Sequence, residues 1–384
     1  MKQRTLLLTL VALLGIMQAR ADVTINATNF PDENFRNWLL VQDYGSDGVI
    51  TDDEIAGITE IYVINTSIAS LKGIEFFTAL TGLYCFNNQL TSLDVSKSTA
   101  LTELACHNNQ LTSLDVSKNT ALTVLSCFDN QLTSLDVSKN TALTELHCSD
   151  NQLTSLDMSK NTALTTLRCY TNQLTSLDVS KNTVLTELSC DNNQLTSLDV
   201  SKSTALKSLY CYNNQLTSLD VSKNTALKAL YCQDNQLTSL DVSKNTALIY
   251  LACSDNQLAS LDVSKNTALW YLSFDQNKIK GSGMDALVES LPNVSESSMY
   301  VIYNENEGNV MTTVQVAAAK AKGWTPYYYD GEDWLEYAGS DPSGIEELKN
   351  SKVEGLKYYD LQGRHVVNPT KGVYILNGKK VVIK

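Results

Sequence analysis

LTELACHNNQLTSLDVSKNTA, residues 101–121, recurs with small changes ten times between residues 80 and 279. The nine cysteines of the chain keep the same period of 21 residues, and the tenth copy carries Phe274 in the cysteine position. Alternation along a short strand places Leu104 and Cys106 on one side, toward a core. Because a unit this short cannot bury its apolar side alone, the copies are expected to stack as in-register parallel strands of a solenoid.

An asparagine stands three residues after each cysteine, as Asn109 follows Cys106. It falls where the chain leaves the strand, and its amide can pair with backbone groups of that turn that would otherwise be buried without partners. We therefore expect a buried ladder of asparagines. The next segment, LTSLDVSKNTA, is too short and too polar for a helix and predicts tight turns or short 3₁₀ helices. Its Leu111, Leu114 and Val116 are expected in the core, with the Asp and Lys side chains in water.

The cysteines are expected to be free thiols, buried in the core as small apolar side chains. Their number is odd, and in-register side chains of adjacent parallel strands do not approach each other as a disulfide requires. A line of thiols also spreads along the solenoid instead of converging on a metal ion.

The pattern L-x-x-L-x-C-x-x-N-x-L at a fixed period is typical of leucine-rich repeats. With a cysteine in place of a consensus leucine, the repeat resembles the cysteine-ladder repeats of the internalin J type. The segment LTSLDVSKNTA resembles the repeats of leucine-rich repeat surface proteins of Bacteroidetes. The resemblance implies an α/β repeat fold that is mostly β: a right-handed leucine-rich repeat solenoid at residues 58–280, with a parallel sheet on its concave face. Residues 58–79 are interpreted as a degenerate first repeat.

Residues 1–21 have the features of a signal peptide. Lys2 and Arg4 precede an apolar run, and Ala19-Arg20-Ala21 matches a cleavage site. Because the apolar run is too short for a membrane anchor, the mature chain is expected to have no transmembrane segment and to reach the cell surface or the medium.

Residues 22–57 are interpreted as a helical N-terminal cap, with a helix that opens at Phe30-Pro31. The loop that follows, DYGSDGVITDDE, resembles an EF-hand, although Gly45 stands where a ligand oxygen is usual. The alternative is a plain acidic turn between two helices. Calcium is thus a possible cofactor, and none is required. Its candidate ligands are Asp43, Asp47, Val49 through its carbonyl, Thr51 and Glu54.

The repeat ends near Ile279, and residues 281–338 are interpreted as an α/β C-terminal cap. The pattern predicts helices over 284–291 and 312–322, a strand over 299–303 and a hairpin in PYYYDGEDWLEY. This cap is expected to cover the open edge of the sheet. Its aromatic residues, Trp324, Trp334 and Tyr327 to Tyr329, are expected in the core of the cap.

The C-terminal part of the chain changes composition. Residues 339–355 are polar and aperiodic and predict a linker. Residues 356–384 predict a small β-rich tail with a hairpin turn at Asn377-Gly378. The tail resembles the C-terminal sorting domains of Bacteroidetes type IX secretion, which implies a destination outside the cell.

The copies differ most at three outward positions of each strand: three residues before, one before and one after the cysteine. Stacking the copies predicts an aromatic group near each end, with a charged centre between them in which Glu103, Glu145 and Glu187 form one row. Rigid aromatic side chains suit protein hot spots and sugar platforms; the alternative is that they only shield the sheet and pair across strands. The candidate ligand-binding residues are Tyr84, Phe86, His107, Phe128, His147, Arg168, Tyr170, Tyr210, Tyr212, Tyr231, Tyr250 and Tyr271.

Charge and motifs restrict the function. The formal net charge is −13, and removal of residues 1–21 makes it more negative because they carry basic but no acidic side chains. This balance argues against nucleic acid and anionic membranes as partners. The chain is not expected to be an enzyme, because it lacks G-x-S-x-G, H-E-x-x-H and phosphate-loop motifs.

We therefore expect a monomeric, adhesin-like secreted or cell-surface protein that binds an extracellular protein of a host or bacterial surface through the concave face. One alternative is a glycan-binding protein that uses the concave tyrosines, and another is a passive structural spacer. Protein binding should weaken with salt, whereas sugar stacking should not.

Overall fold

The computed structural model of the protein describes residues 22–304, 308–340, 345–348, 358–366, 372–376 and 379–383. The segment 1–21, interpreted above as a signal peptide, lies outside the described residues.

The N-terminal cap consists of short elements. Strand β1 (Val23–Thr24) pairs antiparallel with β2 (Val49–Ile50). Between them lie helix α1 (Glu33–Leu40) and a 3₁₀ turn at Asp43–Gly45, and helix α2 (Asp52–Gly57) follows β2. Residues 22–57 thus contain two short helices together with a two-stranded sheet that the sequence did not predict.

One carboxylate joins this cap to the solenoid. Asp32 is the N-cap of α1, and its Oδ1 accepts the Phe35 N–H, so the helix begins after Asp32 and not at Phe30-Pro31. Its Oδ2 accepts the N–H groups of Ala69 and Ser70 in the first turn of the solenoid.

A single sheet of 14 strands runs from the first turn to the C-terminal cap. It begins with β3 (Glu60–Tyr62), and the ten repeats then contribute one three-residue strand each, paired parallel and in register. These strands are β4 (Gly82–Tyr84), β5 (Glu103–Ala105), β6 (Val124–Ser126), β7 (Glu145–His147), β8 (Thr166–Arg168), β9 (Glu187–Ser189), β10 (Ser208–Tyr210), β11 (Ala229–Tyr231), β12 (Tyr250–Ala252) and β13 (Tyr271–Ser273).

Each turn buries the side chains that the sequence predicts. Leu104 and Cys106 are 0% exposed, and Leu111, Leu114 and Val116 also lie in the core. All nine cysteines are buried and free. The outer segments are turns, apart from a 3₁₀ helix at Ile74–Phe76 in the first repeat.

The predicted asparagine ladder lies at the ends of the strands. The Asn172 Nδ2 group donates toward the carbonyl oxygens of Cys148, Cys169 and Tyr170 at 3.1 to 3.2 Å. Its Oδ1 accepts the Leu153 N–H of the preceding turn at 2.9 Å. Both ends of the amide are therefore used, and each asparagine joins two turns.

The residue before each ladder asparagine adopts a left-handed backbone conformation, with φ between 46° and 54° in the ten repeats. Asn and Asp tolerate this region better than other residues with a side chain. They occupy eight of these ten positions, and Thr171 and Gln276 occupy the others. Sequence reasoning did not identify this position.

The structure adds a second ladder that the sequence reasoning missed. The asparagine of each SKNT segment is fully buried; Asn161, for example, donates to the carbonyl oxygens of Val137 at 3.0 Å and Asn140 at 2.8 Å. Among the residues that the structure describes, its Oδ1 has no hydrogen-bond partner. The carbonyl oxygens around this position need only a hydrogen-bond donor, so serine can replace the asparagine. In the copy that has serine, the Ser203 hydroxyl donates to the Asn182 carbonyl at 3.2 Å.

The C-terminal cap covers the edge of the last repeat strand, as predicted, and does so by extending the sheet. It contains helix α3 (Ser282–Ser290), strand β14 (Ser297–Ile302), helix α4 (Thr313–Ala321), and the predicted hairpin of β15 (Trp324–Tyr329) and β16 (Trp334–Glu336). Strands β14 and β15 continue the parallel pairing, and β16 pairs antiparallel with β15.

The expectation that the cap aromatics form its core is wrong for most of them. Trp324 is buried, but Tyr327, Tyr328, Tyr329 and Trp334 are only partly buried. The reason is that the alternation of the repeat strands continues into the cap, so the register turns Tyr327 to the same side as Tyr300.

The described tail residues form a separate five-stranded sheet. It contains β17 (Ile345–Leu348), β18 (Tyr358–Tyr359), β19 (His365–Val366), β20 (Gly372–Leu376) and β21 (Lys379–Ile383). Strands β20 and β21 pair antiparallel as the predicted hairpin, whose turn at 377–378 lies outside the described residues.

The interpretation of residues 339–355 as a linker is wrong in part. Strand β17 lies inside this range and pairs parallel with β21. Four residues are too few to show a strand by periodicity, and this pairing depends on a partner more than thirty residues away.

The two ladders predict different tolerance to serine. We expect Asn172→Ser to lower the free energy of unfolding by about 1–3 kcal/mol more than Asn161→Ser, because it leaves the buried Leu153 N–H without its acceptor. Chemical denaturation followed by circular dichroism measures both. Equal losses in the two variants would contradict the assignment of different roles to the ladders.

The thiols are expected to be unreactive in the folded protein. Burial raises the pKa of Cys85, Cys127 and Cys232 to about 12, and the thiolate is the reactive form. Mass spectrometry after alkylation without reductant should find no modified cysteine in the native protein and nine after unfolding. Native modification, or fewer than nine after unfolding, would show that the thiols are accessible or oxidised.

Candidate binding surface

The side of the sheet that points away from the core is called the open face here. It presents three rows of side chains: a first row three residues before the cysteine, such as Glu103; a second row one residue before it, such as Ala105; and a third row one residue after it, such as His107. Register pairing aligns the first two rows across neighbouring turns, and the contacts of Phe86, His107 and Phe128 show that the third row is aligned as well. These are the three variable positions that the sequence identifies.

Stacked aromatic rings occupy the N-terminal end of the open face. In the third row, the ring centroids of Phe86 and His107 lie 4.4 Å apart and those of His107 and Phe128 lie 4.2 Å apart, with interplanar angles of 11° and 13°. In the second row, Tyr84 stacks on Tyr62 at 4.5 Å. Tyr62 was missed because the degenerate first repeat has Val63 in place of the cysteine.

The centre of the open face is charged. The Arg168 Nε donates to Glu187 Oε1 at 2.7 Å, and both side chains remain partly exposed. His147 Nε2 lies 3.8 Å from Glu145 Oε2. Burial, followed by the neighbouring Arg168 charge, lowers the pKa of His147 below its ordinary value. The centre therefore presents a guanidinium and two carboxylates beside a neutral imidazole at neutral pH.

The side chains of the third row are more deeply buried in the turns around Asp191. Asp191 is only 3% exposed, although its position appeared outward in the sequence, and burial raises the pKa of its carboxyl group. Tyr170 and Tyr212, on the adjacent turns, are partly buried. Burial first, then Asp191, raises the pKa of Tyr212 to about 12.

The C-terminal end of the open face carries a larger aromatic network. Tyr210 and Tyr231 stack at 5.0 Å in the second row. Beyond them, eight rings are linked by ring contacts into one continuous group, called the C-terminal aromatic surface. Its members are Tyr250, Trp270, Tyr271, Tyr300, Tyr303, Tyr327, Tyr329 and Trp334.

Sequence reasoning found two residues of this surface, Tyr250 and Tyr271. It missed Trp270 because that residue stands four before the cysteine position, where most copies have threonine. It placed Trp334 in the core of the cap, and it assigned no role to Tyr303. The alternating pattern of residues 299–303 could have predicted that the aromatic surface continues into the cap.

Three of the candidate calcium ligands, Asp47, Thr51 and Glu54, make local hydrogen bonds in the structure. Glu54 Oε2 accepts hydrogen bonds from the backbone N–H and the hydroxyl of Thr51, both at 2.8 Å, as part of the capping box of α2. Asp47 Oδ1 accepts the Val49 N–H at 3.0 Å. Across the described parts of the chain, no three His, Cys, Asp or Glu side chains are grouped as a metal site would require. Calcium binding at Asp43–Glu54 stays a prediction.

A protein-family model described as Leucine Rich repeats matches two copies, at residues 141–182 and 183–224. The chain carries leucine-rich repeats. Internalin J of Listeria monocytogenes serotype 4b is 45% identical to it over 70 residues, which cover 18% of this chain and 8% of internalin J. The predicted mostly-β solenoid with a cysteine ladder is therefore confirmed, and its leucine-rich repeats are similar to those of internalin J.

Solved structures agree with this fold. The functional domain of internalin J from Listeria monocytogenes, which includes a cysteine ladder, has a TM-score of 0.67 at 38% identity over 74% of this chain and 62% of that chain. Another internalin of Listeria monocytogenes (inlF) has a TM-score of 0.64 at 23% identity over 83% and 99% of the two chains, and shows the fold alone. The chain thus spans less than two thirds of the internalin J chains that it matches.

The relatives do not test the Bacteroidetes resemblance or the sorting tail, which stay predictions. None of the helices that the structure describes has the length and apolar character of a membrane span.

Both histidines of the open face are expected to titrate below 6.5, because burial disfavours the imidazolium form. Their neutral rings therefore contribute stability above pH 6.5, and this contribution declines as the pH falls below that value. A proton NMR titration measures both pKa values; His107→Phe identifies the His107 signals while preserving the ring stack, and His365→Gln separates the third histidine of the chain from His147. A pKa above 6.5 for His147 would instead show that its pairing with Glu145 dominates.

Proposed function

We propose that the chain is a secreted or surface-displayed protein that binds an extracellular protein through the open face of its leucine-rich repeat sheet. One observation carries this proposal: the outer turns repeat the same Asp and Lys in nearly every copy, whereas the open face varies from turn to turn. Asp115 and Lys118 on the outer turns are exposed, and the same two residue types occur 21 residues before and 21 residues after them. Within the ten repeats, the open face is where the turns differ most from one another.

The pattern on the open face suits a protein partner. A charged centre provides orientation and salt-dependent attraction, and aromatic groups at either end provide contact area with little loss of side-chain freedom. Aromatic residues and Arg are the side chains that most often carry binding energy at protein interfaces. The similarity to internalins supports the same class of function.

Arg168 is the side chain through which this proposal is best tested. Its guanidinium is held by Glu187 and is 42% exposed, so it is preorganised and accessible. We expect Arg168→Gln to weaken binding of a protein ligand about tenfold or more, because Glu187 would then face the partner without its cation. The ligand is sought in a panel of purified extracellular matrix and cell-surface proteins by surface plasmon resonance.

Lys181→Gln is the matched control, since it removes the same charge from the exposed outer turns. It should leave affinity unchanged, and added salt should weaken binding of the parent. Equal effects of the two variants would refute open-face binding. Absence of binding across the panel would favour the passive spacer.

A further inference from the structure

The aromatic groups at the two ends of the open face differ in ring orientation. At the N-terminal end the rings are nearly parallel, with interplanar angles of 3° for Tyr62 and Tyr84 and 11° for Phe86 and His107. Parallel neighbours at such distances cover each other's faces. The faces between stacked partners are therefore closed to a ligand.

At the C-terminal end several rings are steeply inclined. The interplanar angle is 77° for Tyr250 and Trp270, and 82° for Tyr300 and Trp334. In an edge-to-face pair, one ring contributes only its edge, so its own faces are not covered by that partner. Trp270 is 51% exposed.

A pocket with polar groups adjoins this surface. It has a volume of about 400 Å³, and Tyr303 and Tyr329 of the aromatic surface line it together with Asn304 and Asp330. The Asp330 Oδ1 accepts the N–H groups of Glu332 and Asp333 at 2.8 Å, which fixes the carboxylate in position. Tyr303 and Tyr329 are stacked on each other at 5.0 Å with an interplanar angle of 16°, so they border the pocket as a pair beside a fixed polar rim.

The charge of this region selects among ligands. The hairpin loop carries Asp330, Glu332 and Asp333, and the whole chain has a net charge of −13. Anionic polysaccharides would be repelled there. A neutral sugar ring offers an apolar C–H face to an aromatic ring and hydroxyl groups to a carboxylate or an amide.

We propose that the C-terminal aromatic surface and its adjoining pocket form a binding site for a neutral oligosaccharide, separate from the charged centre. Trp270, which is 51% exposed, provides a face for stacking at one end, and the stacked pair of Tyr303 and Tyr329 forms an aromatic wall of the pocket at the other. The Asp330 carboxylate would accept hydrogen bonds from the sugar hydroxyls, and the Asn304 amide would donate to them. The site does not depend on the protein ligand proposed above.

The test uses the full chain with cellohexaose, maltohexaose, mannohexaose and chitohexaose as neutral probes and a hyaluronan oligosaccharide as the anionic probe. Isothermal titration calorimetry measures affinity, and tryptophan fluorescence reports contact with Trp270 or Trp334. We expect at least one neutral probe to bind with an affinity that is insensitive to salt. Trp270→Ala and Tyr303→Ala should each weaken it about three- to tenfold.

Tyr62→Ala is the matched control, since Tyr62 is 50% exposed at the opposite end of the same sheet. This variant and Arg168→Gln should leave sugar affinity unchanged, with folding of every variant verified by circular dichroism. Failure of all neutral probes to bind, preference for hyaluronan, or an equal loss in Tyr62→Ala would overturn the proposal. Loss of sugar binding in Arg168→Gln would show that there is no separate site.

Discussion

The hydrogen bonds that pass from one turn to the next are the interactions on which the whole solenoid depends. A 21-residue turn makes almost no regular structure within itself, so its buried backbone groups find partners only on its neighbours. The strand-end asparagine supplies those that the short strands cannot, as Asn172 does for Leu153 and Cys148. The array must therefore be closed at both ends. Asp32 does this at the start, and Asn309 takes the next place in the ladder at the end, where its Oδ1 accepts the Ile279 N–H.

Because the repeats are so regular, most of the sequence variation among them lies on one face of the solenoid. Core positions must repeat because every turn has the same cross-section, and the outer turns repeat because each Asp carboxylate accepts the N–H of the Ser two residues later, as Asp115 does for Ser117. Only the outward strand positions are free of both constraints. The side chains in the three rows of the open face therefore determine which ligand such a solenoid binds.

Ring orientation on that face follows from the strand spacing. Rings in the same row of adjacent turns are brought to roughly the 4.8 Å separation of paired strands, which favours the stacking of Phe86, His107 and Phe128. Trp270 contacts Tyr250 from outside the three rows, and Tyr300 meets Tyr271 diagonally across β13 and β14, so these pairs are tilted. The aromatic rings near the end of the repeats are therefore tilted against each other, whereas the aromatic rings at the N-terminal end are stacked.

The sequence by itself determined the solenoid, the strand register, the burial of the cysteines and the rows to which Phe86, Arg168 and Tyr231 belong, because a fixed period assigns each residue the same environment in every turn. The tertiary structure alone decided the burial of Asn161 and its relatives, the enclosure of Asp191, and the continuation of the open face through Tyr303 and Trp334. These features depend on contacts between turns or with segments that do not repeat. The period shows that the asparagine at the position of Asn161 recurs in most turns, but it does not show that this side chain is buried. The surroundings of these residues are created by neighbouring turns and by the cap.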